Sequence, residues 1–210
     1  MNGSHAQVVW KVVPAHTPRV YRRCEKCGQR RSFYCSEKFR VNAHRKKLDV
    51  WLIYKCSACD TTWNCTLFSC VGPQSIDPDL FDRLQHNDQR VAWSYAFDYA
   101  LLKRNGVVVD SAIGYSVVGE ELDCRALAQG QVTIVLTSEY RLPIRLDALL
   151  SSKLGLSRRQ LETLAAAGGL SIDSGRCNEL RKKLEEVMVI VINTAQLDAL
   201  RTGRVYDSAA

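Results

Sequence analysis

The sequence contains no apolar run of the roughly 18 residues that a membrane-spanning helix requires. Residues 1–5 do not show the charged segment followed by an apolar stretch that marks a secretory signal. There is no internal repeat and no low-complexity tract. These absences argue against a membrane or secreted protein and predict a folded, bacterial-type protein of the cytoplasm.

The motifs of the common enzyme classes are also missing. The sequence has no Gly-x-x-x-x-Gly-Lys-Ser/Thr loop, no dinucleotide-binding glycine pattern, no His-Glu-x-x-His and no nucleophile elbow. The zinc deaminase pattern is absent as well. The four histidines, His5, His16, His44 and His86, share no motif. We therefore expect no catalytic activity and no small-molecule substrate.

Charge is distributed unevenly along the chain. Residues 1–72 carry 13 Lys and Arg against 4 Asp and Glu, residues 73–140 carry 5 against 10, and residues 141–210 carry 11 against 8. Two basic ends therefore flank an acidic middle. A basic surface favours a polyanionic partner, of which nucleic acid is the commonest, although a solvated basic surface without a partner is an equally good interpretation.

Cysteine is plentiful, with nine residues. An odd number leaves one cysteine over in any fully paired disulfide framework, and cytoplasmic cysteines are more often metal ligands or reduced core thiols. Four of them form two Cys-x-x-Cys pairs, Cys24/Cys27 and Cys56/Cys59, separated by 28 residues. A two-residue gap lets both thiolates of a pair face one ion, and two such pairs complete a tetrahedral shell.

This spacing predicts a structural Zn²⁺ site formed by Cys24, Cys27, Cys56 and Cys59, with no open position for catalysis. Iron, a redox dithiol and reduced core cysteines remain alternative interpretations. Four basic residues near the pairs in sequence would offset the charge of a metal tetrathiolate: Arg22, Arg23, Lys26 and Lys55. Cys35, Cys65, Cys70 and His44 are weaker ligand candidates, and Cys124 and Cys177 are interpreted as packing or surface thiols.

The patterns along the chain predict an α+β protein of three modules. Residues 1–72 are expected to form a zinc-ribbon-like antiparallel β module, which includes a strand at 8–13 and a hairpin loop at 42–46. Residues 73–140 follow as a packed linker module with helices at 78–86 and 89–104. In residues 141–210 we expect a helix from 146 to 154, a helix opened by a Ser157/Gln160 capping box, a helix at 178–186 and a strand at 187–192.

The C-terminal module resembles a known RNA-binding domain over about residues 143–192. The order Arg145-Leu146-Asp147, then Ser157-Arg158, then Gly169-Leu170-Ser171-Ile172-Asp173 is similar to the domain named after ribosomal protein S-four, also called the alpha-L motif. The resemblance implies a small α+β domain that binds structured or ribosomal RNA through basic residues at two helix starts. Carried over to this chain, the candidate RNA-binding residues are Arg145, Lys153, Ser157, Arg158, Arg159 and Arg176.

Nearly the whole chain also resembles an uncharacterised bacterial family, domain of unknown function 1062. The likeness is carried by Arg23-Cys24-x-x-Cys27, Phe33-Tyr34-Cys35-Ser36-Glu37-Lys38-Phe39, Trp93-x-Tyr95-Ala96-Phe97-Asp98 and Leu102-Lys103-Arg104-Asn105-Gly106. This resemblance implies no activity.

The leading hypothesis is a non-enzymatic protein that binds structured or ribosomal RNA through its C-terminal domain. The first alternative is a zinc-stabilised protein–protein adaptor, which would dock a partner through a strand edge or through Trp51, Trp63 and Phe68. The second is a thiol- or zinc-responsive sensor that uses Cys35, Cys65 or Cys70.

Overall fold

The structure, a computed structural model, describes residues 5–110, 112–122, 130–172 and 180–202. The chain divides into two compact units. The cysteine unit comprises His16–Ile113, and the discontinuous unit comprises Met1–Ala15 together with Gly114–Ala210. Each unit has its own sheet and helices, so the expected α+β class is confirmed.

The described residues form ten strands and six α-helices. In chain order these are β1 (His5–Pro14), β2 (Val20–Arg23), β3 (Arg30–His44), β4 (Lys47–Cys56), β5 (Thr62–Val71), α1 (Pro78–Gln85), α2 (Gln89–Ala96), α3 (Tyr99–Arg104), β6 (Val108–Val109), β7 (Tyr115–Gly119), β8 (Gln131–Ser138), α4 (Leu146–Leu154), α5 (Arg158–Ala166), β9 (Leu170–Ile172), β10 (Val187–Asn193) and α6 (Thr194–Thr202).

The cysteine unit is built on an antiparallel sheet with strand order β5-β4-β3-β2-β6. The interior strand β4 alternates strictly, because Leu48, Val50, Leu52, Tyr54 and Cys56 are buried and the residues between them are not. This period of two places one face of the sheet on the core, where α1 and α2 contact β3. The first two helices each begin at an aspartate cap, since Asp77 accepts from the Leu80 N–H and Asp88 from the Val91 N–H.

The discontinuous unit has a sheet with strand order β7-β1-β8-β10-β9. Strand β1 pairs in parallel with β8, and the other pairs are antiparallel. One face of this sheet is fully buried through Trp10, Ile134 and Ile190, beneath a helical layer that contributes Leu149 and Leu161. The capping box of α5 is present as expected, and α6 begins at Thr194.

The three predicted modules are not the units of the structure. Strand β1 was expected in an N-terminal β module, but it lies in the middle of the sheet of the discontinuous unit. The predicted middle module, residues 73–140, is divided between the two units at Ile113 and Gly114. The reason is that β1 buries Trp10 and Val12 against β8, a partner more than 120 residues away along the chain.

Two helix predictions also need correction. The helix expected at 89–104 is interrupted, because Asp98 starts a new helix by accepting a hydrogen bond from the Leu101 N–H. The helix expected at 178–186 is not formed in its described part, residues 180–186, where Lys183 instead bridges to Arg145 as an extended residue.

Candidate functional site

Two loops of the same backbone geometry hold the four paired cysteines. In the first, the Cys24 N–H donates to the Gln29 carbonyl and the Gly28 N–H donates to the Cys24 carbonyl, both at 2.9 Å. In the second, Cys56 is joined to Thr61 and Asp60 by the same two bonds at the same length. The residue after each pair has a left-handed backbone, with φ of 69° at Gly28 and 56° at Asp60. The matched turns aim both pairs at one point.

The four sulfur atoms lie within 4.8 Å of one another. Cys24 Sγ is 3.6 Å from Cys59 Sγ, and Cys27 Sγ is 4.0 Å from Cys56 Sγ. These separations far exceed the roughly 2.05 Å of a disulfide bond. A tetrahedral ion with metal–sulfur bonds of about 2.3 Å separates its sulfur ligands by about 3.8 Å. The four cysteines can therefore hold a metal ion, and the expected ligand set is brought together.

Thr61 makes one thiol of the site more acidic than another. Hydrogen bonds from the Thr61 side chain and backbone lower the pKa of Cys59 to about 6. The hydrogen bond that Cys27 shares with Cys59 raises the pKa of Cys27 to about 12. Without a metal ion, the first proton therefore leaves from Cys59. A metal ion at this site would be held by Cys24, Cys27, Cys56 and Cys59 as thiolates, so its binding would release protons.

Arg22 is a basic residue that interacts electrostatically with Cys24 of the metal group. Its guanidinium lies over the Trp63 ring at 4.6 Å and the Phe33 ring at 5.8 Å. Burial lowers its pKa, while the charges of Glu25 and Cys24 act in the opposite direction. Its Nη1 atom is buried without a hydrogen-bond partner among the described residues. A partly desolvated cation beside Cys24 fits a site that becomes negative when four thiolates bind a divalent ion.

The remaining cysteines of the described chain do not join the group. Burial raises the pKa of both Cys35 and Cys65 to about 12, which leaves them as unreactive core thiols. Cys70 is exposed on β5. His44, at the tip of the β3–β4 hairpin, is exposed and is not part of the metal group. Cys124 and Cys177 lie outside the described residues.

A second cluster forms where the resemblance to the alpha-L domain placed RNA-binding residues. Arg145 donates two hydrogen bonds to Asp147, from Nε at 3.0 Å and from Nη2 at 2.6 Å. Arg158 Nε lies 3.9 Å from the same carboxylate. Burial is the largest single influence and opposes ionisation of Asp147, but the hydrogen bonds and charge of Arg145, the Ala148 N–H and the charge of Arg158 together hold the pKa of Asp147 below its usual value. Asp147 therefore anchors two arginines side by side.

The other predicted residues of this set are placed differently. Arg159 is exposed beside Arg158 in the first turn of α5, and Ser157 uses its hydroxyl as the cap of that helix. The Lys153 ammonium lies 5.6 Å from the centre of the Trp10 ring and lines a cavity of about 400 Å³ with Arg201. No contact joins Lys153 to Arg145 or Arg158 in the described part of the chain. Arg176 lies outside the described residues.

Sequence reasoning missed one member of the cluster. Lys183 is exposed and pairs directly with Arg145 in an isolated antiparallel bridge, where the Leu146 N–H also donates to the Lys182 carbonyl. The sequence feature that indicates this residue is the Lys182-Lys183 pair, which lies within the helix predicted at 178–186. We define the arginine cluster as Arg145 and Arg158, which contact Asp147, together with the exposed residues Arg159 and Lys183 next to them.

The fold and the site together define an α+β protein with a four-cysteine site suited to a metal ion. The family model described as "Protein of unknown function (DUF1062)" matches residues 41–176, more than half of the chain. The chain therefore belongs to this family. Neither the curated proteins nor the solved structures include a significant match. Among the described residues, no helix has both the length and the apolar character that crossing a membrane requires.

Proposed function

We propose that this protein is a zinc-stabilised, non-enzymatic RNA-binding protein of the cytoplasm. The observation that carries the proposal is the arginine cluster, in which Arg145 and Arg158 lie beside one buried carboxylate, with Arg159 next to Arg158 in sequence and Lys183 bridged to Arg145. The side chain of Asp147 is 7% exposed, whereas those of Arg145 and Arg158 are 46% and 62% exposed. The carboxylate that contacts both arginines is thus hidden while the cations face solvent, which suits phosphate recognition.

The order of elements supports an alpha-L-like assignment. Helices α4 and α5 follow each other across a three-residue connection and are followed by β9 and β10, which pair antiparallel. Arg145 precedes α4, and Arg158 and Arg159 form the first turn of α5. Basic side chains at two neighbouring helix starts would hold phosphates, to which the positive ends of the helix dipoles add.

Zinc is the ion proposed for the four cysteines. A closed set of four thiolates in two matched turns is typical of structural zinc, which would act here as a folding device of zinc-ribbon type. Native mass spectrometry with elemental analysis tests the identity of the metal. One zinc per chain supports the assignment, and iron with visible thiolate-to-iron absorption contradicts it.

The RNA proposal is tested by binding to a labelled RNA stem-loop at several salt concentrations. Replacing both Arg158 and Arg159 with glutamine should weaken binding at least tenfold and reduce the log–log salt slope by about 1.5, because two phosphate contacts are lost. The matched control replaces Arg90 and Lys103, two exposed cations on α2 and α3, with glutamine. Equal affinity and equal slope in the double variant and the wild type would exclude the arginine cluster as the RNA site.

Protein docking is the second candidate, and one observation favours it. The uncovered face of the sheet in the discontinuous unit carries Val9, Val118 and Val187, which are 52%, 59% and 60% exposed. Val118 and Val187 lie on either side of Lys11 and Thr137 in the same row across the sheet. The neighbouring row of the same face consists of Val9, Val135 and Val189, so apolar side chains lie next to one another there, and exposed apolar surface of this kind is typical of interfaces. The aromatic residues suspected from sequence are a poorer choice, since Trp63 and Phe68 pack against the core.

The occupant we propose for this valine face is a second copy of the chain, because two apolar sheet faces can pack face to face as in a β-sandwich. Light scattering at micromolar concentration should then give a dimer for the wild type. Replacing Val118 and Val187 with glutamate should give a monomer. Val108, which is 55% exposed in the cysteine unit, provides the matched control as Val108→Glu. A monomeric wild type would remove this candidate.

A further inference from the structure

The sheet of the cysteine unit has a second face, opposite the one on its core, and among the described residues of this unit no helix lies on it. On β4, Trp51, Ile53 and Lys55 alternate with the buried residues and therefore point away from the core. On β3, Tyr34, Lys38 and Arg40 occupy the same side, because their cross-strand partners are Lys55, Ile53 and Trp51. We define the open face as Tyr34, Lys38, Arg40, Trp51 and Lys55.

Aromatic and basic side chains alternate on the open face. Trp51 lies opposite Arg40, and Tyr34 lies opposite Lys55, so each aromatic ring has a cation as its cross-strand neighbour. Trp51 is half-buried and Tyr34 is 37% exposed. The two cross-strand pairs are four residues apart along β4, or about 13 Å. This spacing gives the face two aromatic platforms rather than one isolated ring.

The cations of the open face are free. Lys38, Arg40 and Lys55 make no ion pair within the part of the chain that the structure describes. No cation–π contact joins Arg40 to Trp51 either; the cation–π pairs of the cysteine unit that the structure describes involve Arg22 and Arg30. These three cationic side chains are therefore available to contact a ligand.

The acidic residues near the open face, by contrast, already accept hydrogen bonds from other residues of the cysteine unit. Glu37 accepts from Trp93 Nε1 at 2.6 Å and from Gln89 Nε2 at 2.9 Å. Asp49 accepts from the Ser69 hydroxyl and the Cys70 N–H, and Asp60 accepts from the Tyr34 hydroxyl. Residues 30–55 carry eight Lys and Arg but only two Asp and Glu. The face is thus positive, and its few carboxylates are held in place by donors of the same unit.

Exposed aromatic rings between free cations suit a polyanion that also presents flat apolar groups. Single-stranded nucleic acid has both, since its bases can stack on aromatic side chains while its phosphates contact Lys and Arg. A duplex presents only phosphates to a flat sheet, because its bases are already stacked. We infer that the open face binds single-stranded RNA, with bases on Trp51 and Tyr34 and phosphates against Lys38, Arg40 and Lys55. The choice of RNA over DNA rests on the proposed function.

The test uses fluorescence anisotropy of the zinc-loaded full chain with a labelled 12-residue oligouridine. Trp51→Ala should weaken binding about 5- to 150-fold, the range expected for the loss of one stacked base, and Trp51→Phe should restore most of it. Because Trp51→Ala can disturb the sheet, the pair Arg40→Gln and Lys55→Gln provides a second variant that should also weaken binding. The matched control is Arg90→Gln on α2.

Failure of this inference can be separated from failure of the proposed function. The variant in which Arg158 and Arg159 are replaced with glutamine should keep its affinity for oligouridine. The Trp51→Ala variant should keep its affinity for the stem-loop. Oligouridine affinity that is unchanged in both open-face variants overturns the inference and leaves the arginine cluster untouched. Equal affinity for the deoxyuridine oligonucleotide overturns the assignment to RNA.

Discussion

Single side chains set the chemistry of the metal site. Thr61 is the clearest case, because its hydroxyl lies 3.2 Å from Cys59 Sγ and its hydrogen bonds account for the lowered pKa of that thiol. Second-layer groups of this kind orient ligands and stabilise the thiolate form. The ligand set alone therefore does not determine the metal affinity.

At the residue scale, we predict that Thr61→Val weakens zinc binding by about tenfold. The variant keeps the shape of the side chain but removes the hydrogen-bond donor to Cys59. Competition with a zinc chelator at pH 7 measures the affinity. Thr62→Val, at the exposed neighbouring position, is the control and should leave the affinity unchanged. Equal affinities of the two variants would show that the hydroxyl is not needed.

A second residue-scale prediction concerns Asp147. Replacing it with alanine removes its two hydrogen bonds from Arg145 and should lower the free energy of unfolding by about 1–3 kcal/mol. Urea denaturation measures the change, and the exposed acid Asp79, replaced with alanine, should cost less than about 1 kcal/mol. A loss no larger than that of the control would show that the pair does not stabilise the unit.

The same carboxylate predicts a pH dependence. The folded pKa of Asp147 lies below its value in the unfolded chain, because the bonds from Arg145 favour the charged form. Its stabilising contribution is therefore complete above the unfolded pKa of about 4 and is lost as the pH falls through the lower folded value. Wild type and Asp147→Ala should accordingly converge in stability at acid pH.

The end of strand β7 requires a glycine, because its backbone lies very close to that of β1. Strand β7 ends at Gly119, which has a φ of 147° and lies directly against β1. A Cβ atom there would come within 2.2 Å of the Val9 carbonyl oxygen. Only glycine fits this approach, since neither strand backbone can move without breaking the ladder between Trp10 and Gly119.

At the element scale, we therefore predict that Gly119→Ala destabilises the discontinuous unit by more than about 2 kcal/mol. Hydrogen exchange should report the loss as faster exchange in β7. Gly114→Ala is the control, since its Cβ would make only an ordinary contact with Ala15 at 3.6 Å. If both variants were equally stable, β7 would not be held by close backbone packing.

The two-unit division of the whole molecule determines how it should respond to metal removal. The cysteine unit carries the four ligands in loops between its strands, while the discontinuous unit contains none of them. Each unit has a buried core of its own. The free energy of metal binding therefore adds to the stability of one unit only.

At this scale, we predict that a zinc chelator shifts one calorimetric transition to lower temperature by at least about 10 °C and leaves the other in place. Cys56→Ser should reproduce the shift, and Cys70→Ser, at an exposed cysteine outside the group, should not. Hydrogen exchange should assign the shifted transition to β3, β4 and β5. A shift of both transitions together would show that the units unfold as one.

Much of this molecule follows from short stretches of sequence. The two Cys-x-x-Cys pairs predicted a metal site, because a turn of that length positions both of its own ligands. The Ser157/Gln160 pair predicted the start of α5, because both hydrogen bonds of a capping box form within four residues. The alternation of β4 likewise determined which of its side chains are buried. Each turn, the cap and the alternation act between residues close along the chain, whereas the two cysteine pairs, separated by 28 residues, meet only in the folded unit.

Tertiary structure decided the rest. Strand β1 could have paired with any sheet, and only its parallel register with β8 assigns it to the discontinuous unit. In the arginine cluster, Lys183 pairs with Arg145, which is 38 positions away in sequence. Lys153, which the sequence placed in the same set, lies over the Trp10 ring instead. A local pattern specifies which face of an element is buried, but not what covers it. That choice depends on packing between residues far apart in sequence, which no single stretch of the chain encodes.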